Sequence, residues 1–379
     1  MSAPGWLLWL PPVGGAGTGM GRHSEAVRAE LAAACPELEV VRPAAAADQL
    51  GALTATRRWL SHRRPVMSEW SRHHHGLGVA DELARRGQPA GVVVDHLMSS
   101  WVVDVIDRSV PVVYLAHNHE ASARRTLDGA RNPVVAAGHA LDGRRLAAEE
   151  RRLVRRSALV LAITEADARR LAADGAAQVR VWPAAPPPPR PAGERARNGR
   201  ALHLGSYEWR AKTQNLRELL TAYLAATPPV PFLDVAGPGP ADVVPGHDPR
   251  VSVLGVVDEA RKWDLLTSAS VGVLYEPRGG GFKLKVLDYA AGGLPVVWLR
   301  GTITGFDLVD GVTGLEVTSA DEVAPAAARL VGSDGLWQQC QQGLRDALSA
   351  YAVDREGRLA LAVSALREVL GLGAVRAER

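Results

Sequence analysis

The sequence predicts an α/β protein made of two doubly wound, parallel-sheet domains, and three observations predict it. Short apolar runs alternate with helical patterns along the chain, and such alternation implies parallel sheets covered by helices on both faces. A proline-rich stretch, PAAPPPPRPAGERARNGR from Pro183 to Arg200, interrupts the alternation; segments of that composition favour extended spacers. The alternation then restarts, and 379 residues is the length of two ordinary domains.

In the first half, GWLLWLPP reads as a strand, followed by a glycine-rich turn and a helix from about Arg22 to Ala34. LEVVRP, GVVVDH, VPVVYLAHN, ALVLAIT and VRVWP read as further buried strands. Helices fall at Leu146 to Arg156 and at Glu165 to Ala173, the second opening on Thr164 with Asp167 three residues on, a start like a capping box. The first domain therefore covers residues 1–182, with residues 183–199 as the linker. The second, 200–350, has strands at ALHLGS, PFLDVAGPG, VSVLGVV, SVGVLYEP and PVVWL, with a helix from Asn215. From about Ser319 the chain reads as helical, ending in an amphipathic helix from Asp354 to about Leu370. Residues 351–379 are expected to cross back to the first domain. Two such domains form a cleft, and sheets of this kind bind ligands at the carboxyl ends of their strands.

Composition sets limits. Apolar residues are 47% and charged residues 22% of the chain, enough for real cores. A net charge of +3 argues no nucleic-acid partner. The two cysteines, Cys35 and Cys340, lack metal-type spacing and fit a reduced compartment. MSAPGWLLWLPP has no basic region ahead of its short apolar run, and no stretch reaches the ~18 apolar residues of a membrane span. The expectation is a cytoplasmic protein, with peripheral contact to the inner membrane face as the most intimate membrane association.

The stretch richest in chemistry is EPRGGGFKLKVLD, Glu276 to Asp288. A glycine turn after a strand lets backbone N–H groups approach an anion without interference from Cβ atoms. Lys283 and Lys285 are read into the first turn of the next helix, where cations are unfavourable unless an anion compensates. Asp288, five residues past Lys283, could accept from sugar hydroxyls. The plain alternative is a glycine-rich turn with solvated lysines.

GGGFKLKVLDYAAGGLPVV resembles the G-F-x-L-x-x-L-E-A-x-A-x-G-x-P-V-V segment of retaining, group 1 (family-four) glycosyltransferases with the GT-B fold. GSYEWRAKTQNLRELL, DVAGPGP, VSVLGVV and VVYLAHNHEASARR resemble further segments of that family in the same order, the last an H-N-x-E variant of one branch. The resemblance implies two Rossmann-like domains facing each other across a cleft. It implies a bacterial, metal-independent transferase that moves a sugar from a UDP-, GDP- or dTDP-sugar to a small-molecule, glycan or lipid-linked hydroxyl acceptor, with no cofactor, as monomer or homodimer. By the same resemblance Gly280, Gly281, Phe282, Leu284 and Asp288 hold the donor, Val257 lies near the nucleobase, and Arg210, Lys212 and Lys283 meet the diphosphate. His117 faces the reacting sugar with Glu120 in support, while Gly14 and Gly15 close over the diphosphate. A sugar-nucleotide epimerase, or a non-catalytic nucleotide- or glycan-binding subunit, would share this scaffold.

The chain departs from the family pattern in places. The acid usually found eight residues before the helix acid is replaced by Gly280, with Glu276 the nearest substitute, and Tyr207 stands where an arginine is frequent. LPPVGGAGTGMGRH contains no Gly-x-Gly-x-x-Gly register and LEVVRP ends in Arg42 rather than an acid, which disfavours a dehydrogenase. His73 to His75 read as a polar loop facing the acceptor rather than a metal site, and His119 competes with His117 for the inward position. The arginines Arg144, Arg145, Arg151, Arg152, Arg155 and Arg156 read as a solvated, salt-bridged face, or as an attraction for anionic lipid.

Overall fold

The computed structural model describes residues 5–14, 19–46, 50–125, 133–188, 197–239, 243–244 and 248–373. The chain divides into two compact units, residues 1–185 with 355–379, and residues 186–354.

The first unit runs β1 (Gly5–Leu10), α1 (Gly19–Ala34), β2 (Leu38–Val41), α2 (Ala52–His62), α3 (Val66–Arg86) and β3 (Gly91–Asp95). A 3-10 segment, Leu97–Asp104, leads to β4 (Val112–Ala116), α4 (Glu120–Arg125), α5 (Pro133–Arg156), β5 (Leu159–Ala162), α6 (Glu165–Ala173) and β6 (Val179–Val181). Its six strands are all parallel, in the order β2-β1-β3-β4-β5-β6. β1 shows why these strands read as continuous apolar runs. With period two, Trp6, Leu8 and Leu10 enter the core on one face and Leu7 and Trp9 the core on the other.

The second unit runs β7 (Ala201–Leu204), α7 (Arg210–Ala225), β8 (Leu233–Ala236), β9 (Val251–Gly255), α8 (Glu259–Ser268) and β10 (Val271–Leu274). It continues with α9 (Lys285–Ala291), β11 (Val296–Leu299), β12 (Gly314–Val317), α10 (Val323–Val331) and α11 (Asp334–Val369). The order β12-β11-β10-β7-β8-β9 is again wholly parallel. Counted from its own first strand this is 3-2-1-4-5-6, the Rossmann order.

Several elements differ from the sequence reading. The helix read from Leu146 begins at Pro133, and the one read from Asn215 begins at Arg210. β12 was not anticipated, because four residues beginning with glycine carry too little apolar pattern. The terminal helix is a single 36-residue element from Asp334. Its first part packs in the second unit, where Trp337 Nε1 donates to the Ser270 carbonyl at 2.6 Å. Beyond residue 354 it belongs to the first unit: Ala362, Ala365 and Leu366 join the core with Leu7 and Trp9, and Arg367 pairs with Glu37 at 2.7 Å.

His73 to His75 do not form a loop. They lie inside α3, whose buried face carries Ser68, Ser71, His75, Gly78 and Val79. Small and polar residues on the buried side hid the helical stripe. Several arginines of α5 are built into the fold: Arg152 pairs with Glu149 at 2.6 Å and Asp104 at 2.7 Å, and Arg156 donates to the Val110 carbonyl at 3.0 Å.

Candidate functional site

In the second unit β7 is followed by β8 and β9 on one side, and the chain then returns to place β10 on the other side of β7. The carboxyl ends of β7 and β10 are therefore the switch point at which open α/β sheets bind ligands. Ladder pairing between these strands covers only Val271 with Ala201 and Gly272 with Leu202. Beyond it, side chains bridge the strands. Tyr289, fully buried on α9, accepts from the Leu204 N–H at 2.9 Å and stands 3.2 Å from the Leu202 carbonyl. His203 Nδ1 donates to the Val273 carbonyl at 2.9 Å, and burial, then Lys285, lower its pKa to about 3, so it stays neutral. Gly272 lies beneath the Tyr289 ring, where a Cβ would come within 3.1 Å of it and the ring would have to shift slightly.

Three lysines converge at the opening. Glu276, just past β10 and 3% exposed, takes Lys285 Nζ at 2.6 Å, Lys212 Nζ, and Lys283 Nζ at 3.6 Å. Lys285 also donates to the Leu204 carbonyl, and Lys283 to the carbonyls of Gly279 at 3.1 Å and Gly280 at 2.9 Å. Burial would raise the Glu276 pKa, but Lys285, Lys212 and Lys283 outweigh it and hold the carboxyl well below its ordinary range. Burial, reinforced by Lys212, brings Lys283 down to about 8, and burial lowers Lys285 as well. Three ammonium groups face one carboxylate, an excess of two positive charges in a largely buried setting. Such an excess is costly unless an anion neutralises it.

The sequence-derived donor residues are distributed around this cluster. Lys212, Lys283 and Glu276 form it, and Gly280 and Gly281 make the adjoining turn, with Gly279 and Gly281 at φ 100° and 75°. Lys283 precedes α9 rather than lying in its first turn, and its ammonium folds back onto the turn's carbonyls. Phe282 stacks on Tyr351 at 6.2 Å, which ties the turn to α11. Leu284 caps α9. Asp288, 5% exposed, pairs with Lys262 at 3.2 Å, a lysine the sequence reading passed over. Val257 follows the edge strand β9 on the same carboxyl side of the sheet. Arg210 opens α7 in an exposed position. Tyr207, in place of the frequent arginine, is buried and donates to the His203 carbonyl at 3.2 Å.

The first unit has its own polar cluster at the carboxyl ends of β3 and β4. His117 Nε2 meets Asp95 Oδ1 at 2.6 Å, with Asp95 fully buried. Glu120 pairs with His96 Nε2 at 2.9 Å, while His96 Nδ1 accepts from the Met98 N–H. His96 adopts φ 82°, a region disfavoured for any residue but glycine, so packing enforces its position. His23 of α1 stands edge-on to His117 at 5.3 Å, and burial, then His117, lower its pKa to about 3. Both His23 ring nitrogens, Asp95 Oδ2 and Asn118 Oδ1 are buried without a hydrogen-bond partner among the described residues. Gly14 makes the turn after β1 at φ 77°, and Gly15 lies outside the described residues.

His119 points elsewhere, to Asp174 at 3.0 Å and Glu150 at 3.7 Å. These three could hold a cation, yet the Glu150 oxygens already accept the N–H groups of Glu120 and Ala121 at 2.8 Å each. Burial raises Glu150 to about 7 against those N–H groups and His119. Asp95, His96 and His23 were missed in the sequence, although a charged pair directly after the buried run GVVV was available as a signal.

Residues 199–333, inside the second unit, match the family model described as glycosyl transferases group 1. No curated protein matches the chain by sequence. Among solved structures, sucrose-phosphate synthase from Thermosynechococcus elongatus is similar at TM-score 0.66 and 16% identity, over 97% of this chain and 99% of that one. HepE from Anabaena, solved with UDP-glucose, is similar at TM-score 0.60 and 14% identity, over 95% and 99%. A UDP-glucosyltransferase from Polygonum tinctorium capable of glucosylating indoxyl is similar at TM-score 0.58 and 13% identity, over 98% and 100%. The fold is GT-B, with two Rossmann-like sheets.

Proposed function

We propose that this protein is a retaining glycosyltransferase that moves a sugar from a nucleotide-diphosphate sugar to a hydroxyl acceptor without a metal ion. The observation that carries the reading is the buried carboxylate of Glu276 surrounded by Lys212, Lys283 and Lys285 at the β7/β10 switch point. The excess of two positive charges matches the two negative charges of a diphosphate diester. The same ammonium groups would stabilise the nucleotide diphosphate as it departs, the role otherwise filled by a metal or an oxyanion hole. The group 1 match over residues 199–333 supports this use of the second unit. UDP-glucose in HepE, a structural neighbour, supports a nucleotide sugar as the donor.

In the first unit His117 would face the reacting sugar and acceptor, with Asp95 fixing its ring as a positioning residue. Departure of the diphosphate and attack by the acceptor hydroxyl on the same face would retain the anomeric configuration. The acceptor proton passes to the leaving phosphate oxygen. The acceptor is a natural product, a glycan or a lipid-linked saccharide, and the protein works in the cytoplasm of a bacterium.

Thermal-shift screening against UDP, GDP, dTDP and ADP tests the donor site, since a ligand of the native state raises stability by mass action. One nucleotide should raise Tm in the wild type and fail to do so in Lys285→Met. No shift with any of the four would remove the assignment. Product NMR decides retention, and full activity in EDTA decides metal independence.

A further inference from the structure

A recess of about 630 Å³ lies wholly within the first unit, between α2 and α3. Its walls include Trp101, Leu83, Arg58, Arg72, His62 and Glu69, and its size is that of a drug-sized ligand site. Glu69 is fully buried; Oε2 meets His62 Nδ1 at 3.1 Å, while Oε1 has no hydrogen-bond partner among the described residues. A buried carboxylate oxygen without a donor is costly, and a ligand hydroxyl would satisfy it.

Gly76 supplies an independent sign. It sits in the middle of α3 and lines the recess, where glycine costs a helix about 1 kcal/mol relative to alanine. Packing does not demand it, for a Cβ there would meet only Arg72 Cγ, at 3.9 Å. Gly78 differs, since a Cβ there would run into the Ala44 backbone. At Gly76 the missing side chain keeps space open.

We propose that this recess binds an apolar ring compound carrying a hydroxyl and an anionic group. The ring lies against Trp101 and Leu83, the hydroxyl donates to Glu69, and the anion faces Arg58 and Arg72. The site is independent of the donor reading, because no nucleotide takes part in its test.

The test titrates 6-hydroxy-2-naphthoate, 2-naphthoate and 2-naphthol into the full-length protein by calorimetry without nucleotide. The hydroxynaphthoate should bind about tenfold more tightly than either probe lacking one group. Gly76→Phe, which fills the recess, should abolish binding with Tm unchanged or raised. If that variant fails to fold, Arg58→Glu with Arg72→Glu should weaken both anionic probes and spare naphthol. Equal affinities for the three probes, no saturable heat, or undiminished binding in a folded Gly76→Phe protein would overturn the proposal. So would binding to anionic phospholipid vesicles with all three probes inert, which would make the exposed Leu53, Leu60, Trp70 and Leu77 a membrane-facing surface instead.

Discussion

Lys283 titrates near 8 because it is buried beside Lys212, and this makes donor binding a proton-linked event. A diphosphate placed against the three lysines adds negative charge, favours the ammonium form and raises that pKa. Binding is therefore strongest below pH 8 and weakens as pH rises through it. At pH 7 roughly nine-tenths of the free protein carries the Lys283 proton and at pH 9 roughly one-tenth, so affinity falls toward tenfold, about 1.4 kcal/mol, per unit beyond 8. Calorimetry of UDP-glucose, or of the sugar nucleotide that thermal shift selects, in buffers of different ionisation enthalpy at pH 8 should show uptake of about half a proton. Lys283→Met should abolish the uptake. The free fold responds in the opposite sense: an unfolded lysine titrates near its ordinary 10.5, so the native state holds fewer protons between 8 and 10.5 and its stability rises with pH across that window. Binding that takes up no proton, with affinity flat from pH 7 to 8.5, would refute the claim that Lys283 contacts the diphosphate.

Three further outcomes follow from the geometry. Glu276→Gln leaves three ammonium groups without their carboxylate and should destabilise the free protein by about 3–5 kcal/mol, with part of the loss restored by pyrophosphate, read from urea melts with and without it. Gly237→Ala should cost more than about 3 kcal/mol, because Gly237 sits at φ 132° and its Cβ would run into the Gly205 carbonyl oxygen; a melt within 1 kcal/mol of wild type, roughly, would contradict that packing. Asp95→Asn keeps the shape but loses the charge facing His117. Transfer should fall by about 10²-fold or more, with a displaced pH profile, unchanged donor KM and unchanged circular dichroism.

The fold was largely legible because both sheets are wholly parallel. Strands buried on both faces must be apolar at every position, which is what GVVVD, VVYLA and LVLA display. The helices were harder. α3 buries serines, a histidine and a glycine, and α5 begins in a stretch whose exposed Val134 and Val135 give no stripe to read. Thr164 marked α6 correctly because capping is local chemistry: its hydroxyl accepts the Asp167 N–H at 3.1 Å.

The two polar clusters divide along the same line. Gly279 to Lys285 could be read as a site because its chemistry is contiguous in sequence, a bare turn followed by cations. Glu276 could be named as the nearest substitute for the missing acid, but not its place at the centre, because that depends on α7 bringing Lys212 to it across 64 positions of sequence. The pairing also explains why Lys283 and Lys285 tolerate burial near a short helix: each has an oxygen partner, from Glu276 and from the carbonyls of Gly280 and Leu204. The first unit repeats the lesson. His117 was visible at the end of its strand, but Asp95 and His96 end a neighbouring strand, and only the β3–β4 register, with Asp95 opposite Leu115, sets them beside it. Residues that terminate adjacent parallel strands are distant in sequence and close in space, so the switch-point rule locates such a site while the list of its members waits on the register.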